Sequence, residues 1–204
     1  MEKVKNLSDT ELREIKRMIG EAFVTNELFH EFGKLEERRE FVMCYMNAYV
    51  EWVYESGMLY RTKDKKGYIG LASTGEESFY KKLKMLIRLI RGIPFKKLKK
   101  LMHHVKQIAG GNERYQNQPH IDILMVCVNK KNQGEGIARK LVEFAKDVAK
   151  EKGIPLLFDT DMLEYANMYQ HLGCTLYNTI TADNGVTRYN LVWENGHDAM
   201  GNRS

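Results

Sequence analysis

The stretch that most constrains this chain covers residues 119–152 and reads PHIDILMVCVNKKNQGEGIARKLVEFAKDVAKEK. An apolar run over 121–128 predicts a strand, and a short polar loop turns through Gln133, Gly134, Glu135 and Gly136. An amphipathic helix begins at once. Leu141, Phe144, Ala145 and Val148 recur on it at helical spacing, and Gly153 stands where a C-terminal stop belongs. The first turn of such a helix offers free N–H groups and the positive end of the helix dipole. Glycines let phosphates approach the backbone with no Cβ in the way. A strand–Gly–helix turn is therefore suited to an anion. Two common phosphate motifs are excluded. A dinucleotide fingerprint needs a third glycine where Arg139 stands, and a Walker loop needs a Gly-Lys-Ser/Thr that is absent.

The pattern that does fit is Gln/Arg-x-x-Gly-x-Gly/Ala, here Gln133, Gly134, Glu135, Gly136, Ile137 and Ala138. Behind Leu124-Met125-Val126-Cys127-Val128, it resembles the acetyl-CoA pyrophosphate loop of the GNAT superfamily of N-acyltransferases. A second motif, Asn167-Met168-Tyr169-Gln170-His171-Leu172-Gly173-Cys174, resembles the GNAT ending in which a helix carrying Asn and Tyr is followed by Leu-Gly-Phe. Cys174 replaces the phenylalanine, which changes packing and touches no chemistry. The resemblance implies an α/β (α+β) fold: a mixed, mostly antiparallel sheet with a splayed parallel central strand pair and helices on both faces. It is strongest over residues 119–192.

The remaining patterns fit one domain over residues 1–194. The 204 residues, 43% hydrophobic and 29% charged, suffice for one sizeable core. No apolar run is long enough to span a bilayer, and the opening MEKVKNLSDTEL lacks the apolar segment of a secretion signal. Cys44, Cys127 and Cys174 are odd in number and widely spaced, as reduced core thiols are, and a cytoplasmic protein is expected. Residues 3–7 predict a short strand. Ser8-Asp9-Thr10-Glu11 is a capping box, and Leu12, Ile15, Ile19 and Phe23 line the helix that follows. A second helix is predicted over 35–55, where Phe41, Cys44, Tyr45, Ala48 and Trp52 keep its period. Strands follow over 58–62 and 68–73. Two helices and a hairpin form the substrate-side half of GNAT proteins, and the order matches.

Residues 75–118 depart from that pattern. Thr74-Gly75-Glu76-Glu77 suggests a further capping box. Leu83, Leu86, Ile87 and Ile90 make one helical stripe, Gly92-Ile93-Pro94 breaks it, and Leu98, Leu101, Met102, Val105 and Ile108 make a second. An inserted helical hairpin over the substrate end is expected. The net charge of +5 rests on this insert, since residues 81–106 hold ten Lys/Arg and no Asp/Glu. Its apolar stripes are expected to pack on the core and its cations to form a solvated face. Neither nucleic acid nor membrane is then the expected partner, and a role in drawing polyanionic CoA inward is left. His103 and His104 are adjacent on a helix and cannot form an i, i+4 pair, and no metal is expected. Beyond the central motif, 155–161 predicts a buried strand, and Asp161 caps the next helix with Glu164 at the capping-box position. Strands over 175–182 and 186–193 flank Asp183-Asn184-Gly185, a strong hairpin signal. Residues 195–204 form a polar tail.

Acetylation of an amine needs a group to take the amine's proton, a donor for the oxyanion and an acid for the departing thiolate. The resemblance assigns that acid to Tyr169 and a cofactor hydrogen bond to Asn167. Strand alternation puts His120, Asp122, Leu124, Val126 and Val128 on one face, and Asp122 or His120 is the candidate base. By resemblance, the backbone groups of Val126 and Val128 pair with the pantetheine arm. The expected activity is acetyl transfer from acetyl-CoA to a primary amine of a small molecule, by direct attack in a ternary complex, in a monomer or homodimer. Two other readings stay open: an acyl-CoA sensor without turnover, and a nucleic-acid-binding regulator using the basic insert.

Overall fold

The computed structural model describes residues 1–75 and 79–195. Seven strands form one sheet: β1 (Glu2–Lys3), β2 (Leu59–Arg61), β3 (Gly67–Ser73), β4 (Ile121–Val128), β5 (Leu156–Thr160), β6 (Thr175–Thr181) and β7 (Thr187–Trp193). Their order across the sheet is β1-β2-β3-β4-β5-β7-β6. Only β4 and β5 run parallel, joined by the crossover helix α5 (Ile137–Lys152). On one face lie α1 (Asp9–Phe23) and α2 (Leu35–Glu55), with a core that includes Ile19, Val42, Met46 and Val53. On the other lie α5 and α6 (Leu163–His171), packed over Ile121, Leu141, Ala145, Leu156 and Leu191. The expected sheet with helices on both faces is present. Among the described residues, no helix is long and apolar enough to cross a membrane.

Local rules place most elements. Ser8 caps α1 through its side chain while Glu11 reaches back to the Ser8 N–H, so both halves of the capping box are made. Asn184 and Gly185 turn β6 into β7, as read. Gly67 is required by packing: a Cβ there would come within 2.6 Å of Ile137 Cγ2 and 3.0 Å of Leu141 Cδ1. The bare glycine lets the first turn of α5 press directly onto β3.

Several elements differ from expectation. The first strand stops at Lys3 rather than running over 3–7. Asn6 adopts φ +53°, and the Leu7 N–H turns away to the Tyr54 hydroxyl. Thr74 does not begin a helix; its N–H and hydroxyl both donate to the His120 carbonyl. The remainder of that expected capping box, Glu76 and Glu77, lies outside the described residues, as does all but the first residue of the 195–204 tail. Asp161 does not cap α6. Met162 holds that position without a side-chain cap, because Asp161 is claimed by Arg188.

The strand alternation through β4 also breaks. Ile123 faces Leu71 and Met125 faces Gly70, leaving Leu124 as an unpaired extra residue, a β-bulge. Ile121 and Ile123 pack with α5, whereas Met125 and Cys127 pack on the opposite face with α1 and α2. Asp122 and Leu124 therefore do not share a face with Val126 and Val128; one extra residue reverses the strand.

The insert forms the expected hairpin, α3 (Phe79–Gly92) and α4 (Phe95–Ile108). Leu98, Leu101 and Ile108 of α4 are buried as predicted. On α3 the arrangement is inverted: Leu83, Leu86, Ile87 and Ile90 are exposed.

Candidate active site

β4 and β5 pair only from Ile121 to Ile123 against Leu156 to Phe158, and then part. The bulge determines what the free flank of β4 presents. Before it, the Ile121 N–H bonds toward β5, to the Pro155 carbonyl. After it, the Asn129 N–H bonds toward β3, to the Lys66 carbonyl. Alternation back from Asn129 directs Cys127 and Met125 to β3, and the backbone groups of Val126 and Val128 into the opening. Tyr49 of α2 closes over the bulge, its hydroxyl donating to the Leu124 carbonyl at 3.1 Å.

A cavity of about 980 Å³ fills this fork. One wall is β4 from Asp122 to Val128, followed by Gln133, Gly134, Gly136, Ile137, Ala138 and Arg139. Gly134 and Gly136 have φ of +87° and +71°, and a Cβ on either would meet no protein atom within 4 Å. The space above both glycines is thus open to a ligand. Gly136 caps α5 with no side-chain bond, and no acidic residue stands in the helix's first turn. The free N–H groups, the dipole and Arg139 suit a pyrophosphate. Glu135 is not in the cavity wall; its carboxylate turns outward to Lys66 at 2.9 Å and Asn132 at 2.7 Å. Those two hydrogen bonds hold its carboxyl below the usual range.

The other wall carries carboxylates and rings. Tyr169 is buried, its ring edge-on to Phe158 at 4.6 Å between centroids, and so sits at the point where the strands part. Burial pushes its phenol well above the usual range, with the nearby Tyr165 adding to the shift. The group therefore keeps its proton at neutral pH and cannot serve as a base. Asp122 lines the cavity, and His120 stands behind it, Nε2 3.3 Å from Asp122 Oδ2. His120 Nδ1 lies 2.8 Å from the Gln118 carbonyl, an acceptor only, so Nδ1 carries a hydrogen. Nε2 and the Asp122 carboxylate would then both be acceptors unless a proton lies between them. Asn167 is exposed on α6 and outside the cavity wall, its carbonyl accepting from the His171 ring.

Sequence reasoning missed the ion cluster at the end of β5. Arg188 grips Asp161 with two bonds of 2.9 Å and lies 3.5 Å from Asp159, and all three residues line the cavity. Asp159 keeps 38% of its side-chain surface exposed and lines the cavity. Burial pushes its carboxyl up, Arg188 opposes the shift, and Asp161 adds to it. The signal in the sequence was Asp-Thr-Asp closing an apolar strand, taken only as a helix cap. Phe23, Phe29, Tyr45 and Tyr49 complete this end of the cavity.

The comparisons with known proteins follow this geometry. The family model described as acetyltransferase (GNAT) family matches residues 99–174, from within α4 to the start of β6. The fold is the GNAT fold. An arylalkylamine N-acetyltransferase 2 from Aedes aegypti superposes with a TM-score of 0.54 at 13% identity, covering 93% of this chain and 97% of that one. A polyamine N-acetyltransferase from Drosophila melanogaster, which forms N-acetylagmatine, gives a TM-score of 0.53 at 11% identity, with 90% and 96% covered. A NatC complex bound to Gag peptide and CoA gives 0.51 at 14%, with 95% and 96% covered. At these identities the likeness carries the fold and not the acceptor. No curated protein matches this chain by sequence.

Proposed function

We propose that the protein is an N-acetyltransferase that moves an acetyl group from acetyl-CoA to the primary amine of a small molecule in a ternary complex. The observation that carries this reading is the polarity of one continuous cavity. Its loop end presents bare glycine backbone and the N-terminus of α5, suited to an anion, and the rest of its lining carries Asp122, Asp159 and aromatic rings, suited to an ammonium with an apolar arm. At about 980 Å³, the cavity matches a cofactor arm plus a small acceptor, not a folded one.

Gln133, the backbone of Gly134 and Gly136, and the first turn of α5 with Ile137 and Ala138 would hold the pyrophosphate. Val126 and Val128 would pair with the pantetheine arm as an added strand. Acetyl-CoA supplies the thioester carbonyl, so that a C–N bond forms and a C–S bond breaks. Asp122 would take the ammonium proton and His120, 3.3 Å from it, would pass it toward solvent. Tyr169 gives its proton to the leaving sulfur and is reprotonated, through water, by the proton that the nitrogen loses as the amide forms.

The test is thiol release from acetyl-CoA across a panel of primary amines, with ligand-induced melting shifts measured alongside. Turnover with at least one small amine is expected. A melting shift with acetyl-CoA and no thiol release from any amine would leave an acyl-CoA sensor instead.

A further inference from the structure

α3 is mounted with its polar side inward. Lys84 reaches Glu55 of α2 at 2.6 Å, Arg88 reaches Glu51 at 2.6 Å, and Lys81 donates to the Glu55 carbonyl at 2.6 Å. Leu89 is buried beside them. These ion pairs fix the helix's rotation and send its apolar stripe to solvent. Leu83, Leu86, Ile87 and Ile90 are all exposed, and aromatic residues stand at both ends of the stripe, Phe79 at 83% and Phe95 at 72%. The expectation of a basic face that meets no membrane rested on both stripes packing inward, and α3 removes that premise.

What covers this ridge must match its shape and its charge. Leu83, Leu86, Ile87 and Ile90 lie along one exposed stripe with no acidic residue among them. No Asp or Glu occurs from residue 79 to 112, and Arg91, Lys96 and Lys99 are exposed at and beyond the C-terminal end of α3. An apolar ridge with aromatic ends and flanking cations is the composition of a helix that lies in a bilayer interface. We propose that α3 docks the protein on an anionic membrane surface, with Phe79, Leu83, Leu86, Ile87, Ile90 and Phe95 inserting below the headgroups. Arg91, Lys96 and Lys99 then rest at the level of the lipid phosphates.

The test is co-sedimentation of the full chain with two kinds of vesicle, pure phosphatidylcholine and an equimolar phosphatidylcholine–phosphatidylglycerol mixture. Binding to the anionic vesicles alone is expected, weakening as salt is raised. The triple variant Leu83→Ser, Ile87→Ser, Ile90→Ser should lower the partition coefficient at least about tenfold. Its circular dichroism should be unchanged, because these side chains support no core. Lys96→Glu with Lys99→Glu should lower binding to anionic vesicles as well. Failure of the wild-type chain to bind anionic vesicles would overturn the proposal, as would equal binding by the triple variant. Sedimentation velocity without lipid gives a further refutation: a dimer that the triple variant splits would make this face a contact between copies.

Discussion

Arg188 is the residue whose loss the structure prices most definitely. Its guanidinium is only 13% exposed, and it makes two bonds to Asp161, whose side chain is 5% exposed. Arg188→Met keeps the aliphatic stem and removes the charge, leaving Asp161 buried without its partner and Asp159 beside it. Breaking a buried pair from one side costs roughly 3–5 kcal/mol, far above the 0–1 kcal/mol of a surface pair. For a chain of this length that is a fall in Tm of about 10 °C. The pH dependence has a definite sign. Burial already raises the Asp159 carboxyl and Arg188 opposes it, so removing Arg188 raises it further. A carboxyl with a folded pKa above its unfolded value binds its proton more tightly in the folded state. Its contribution to stability is present at low pH and is lost as pH rises through the folded pKa. The deficit of Arg188→Met should therefore widen as pH is raised out of the acid range in urea titrations, and Arg188→Met/Asp161→Asn should recover part of it. A deficit below about 1 kcal/mol, or one that stays flat with pH, would show that the cluster is solvated and that its apparent burial misleads.

Four further outcomes are expected. Gly136→Asp should abolish the melting shift given by acetyl-CoA, since it puts a carboxylate where the pyrophosphate would lie, at a φ of +71° that a side chain tolerates poorly; a full shift in the variant would sink the loop assignment. Tyr169→Phe should lower kcat by about 10²–10⁴ and leave the KM for acetyl-CoA nearly unchanged, as steady-state kinetics will show. Asp122→Asn should lose activity that returns in part at high pH, where the acceptor is already neutral, so a pH–rate profile separates it from Tyr169→Phe. Asp159→Asn should raise Tm at neutral pH and leave it unchanged in acid, because the ionised group is held where burial disfavours it.

The sheet, the crossover and the loop were legible because each rests on a local pattern. The apolar run of 121–128, the Gly134 and Gly136 turn and the stripe on α5 need only near neighbours to act. The ion cluster was not legible because Asp161 and Arg188 meet across 27 residues. Nothing in Asp-Thr-Asp says whether the second carboxylate turns back to cap a helix or outward to a distant guanidinium. The rotation of α3 was hidden for the same reason. Its stripe predicts an amphipathic helix, but Glu51 and Glu55 on α2 decide which face turns inward.

The bulge at Leu124 shows how much chemistry an unreadable feature can carry. An unbroken β4 would keep the backbone of Ile121 and Ile123 facing β5 and continue that parity to Met125 and Cys127. The groups of Val126 and Val128 would then be consumed by β3. One extra residue reverses the parity, frees those groups and moves Met125 and Cys127 to the α1–α2 face. Burial there pushes the Cys127 thiol up to about 12, which keeps it protonated and a poor nucleophile. The sequence signals neither half of this, since Leu124 and Met125 are both apolar and fit either face. Tyr49 holds the arrangement by donating to the carbonyl that the bulge leaves over. The fork, its free edge and the inert thiol thus have one cause, and any residue that straightens β4 would close all three together.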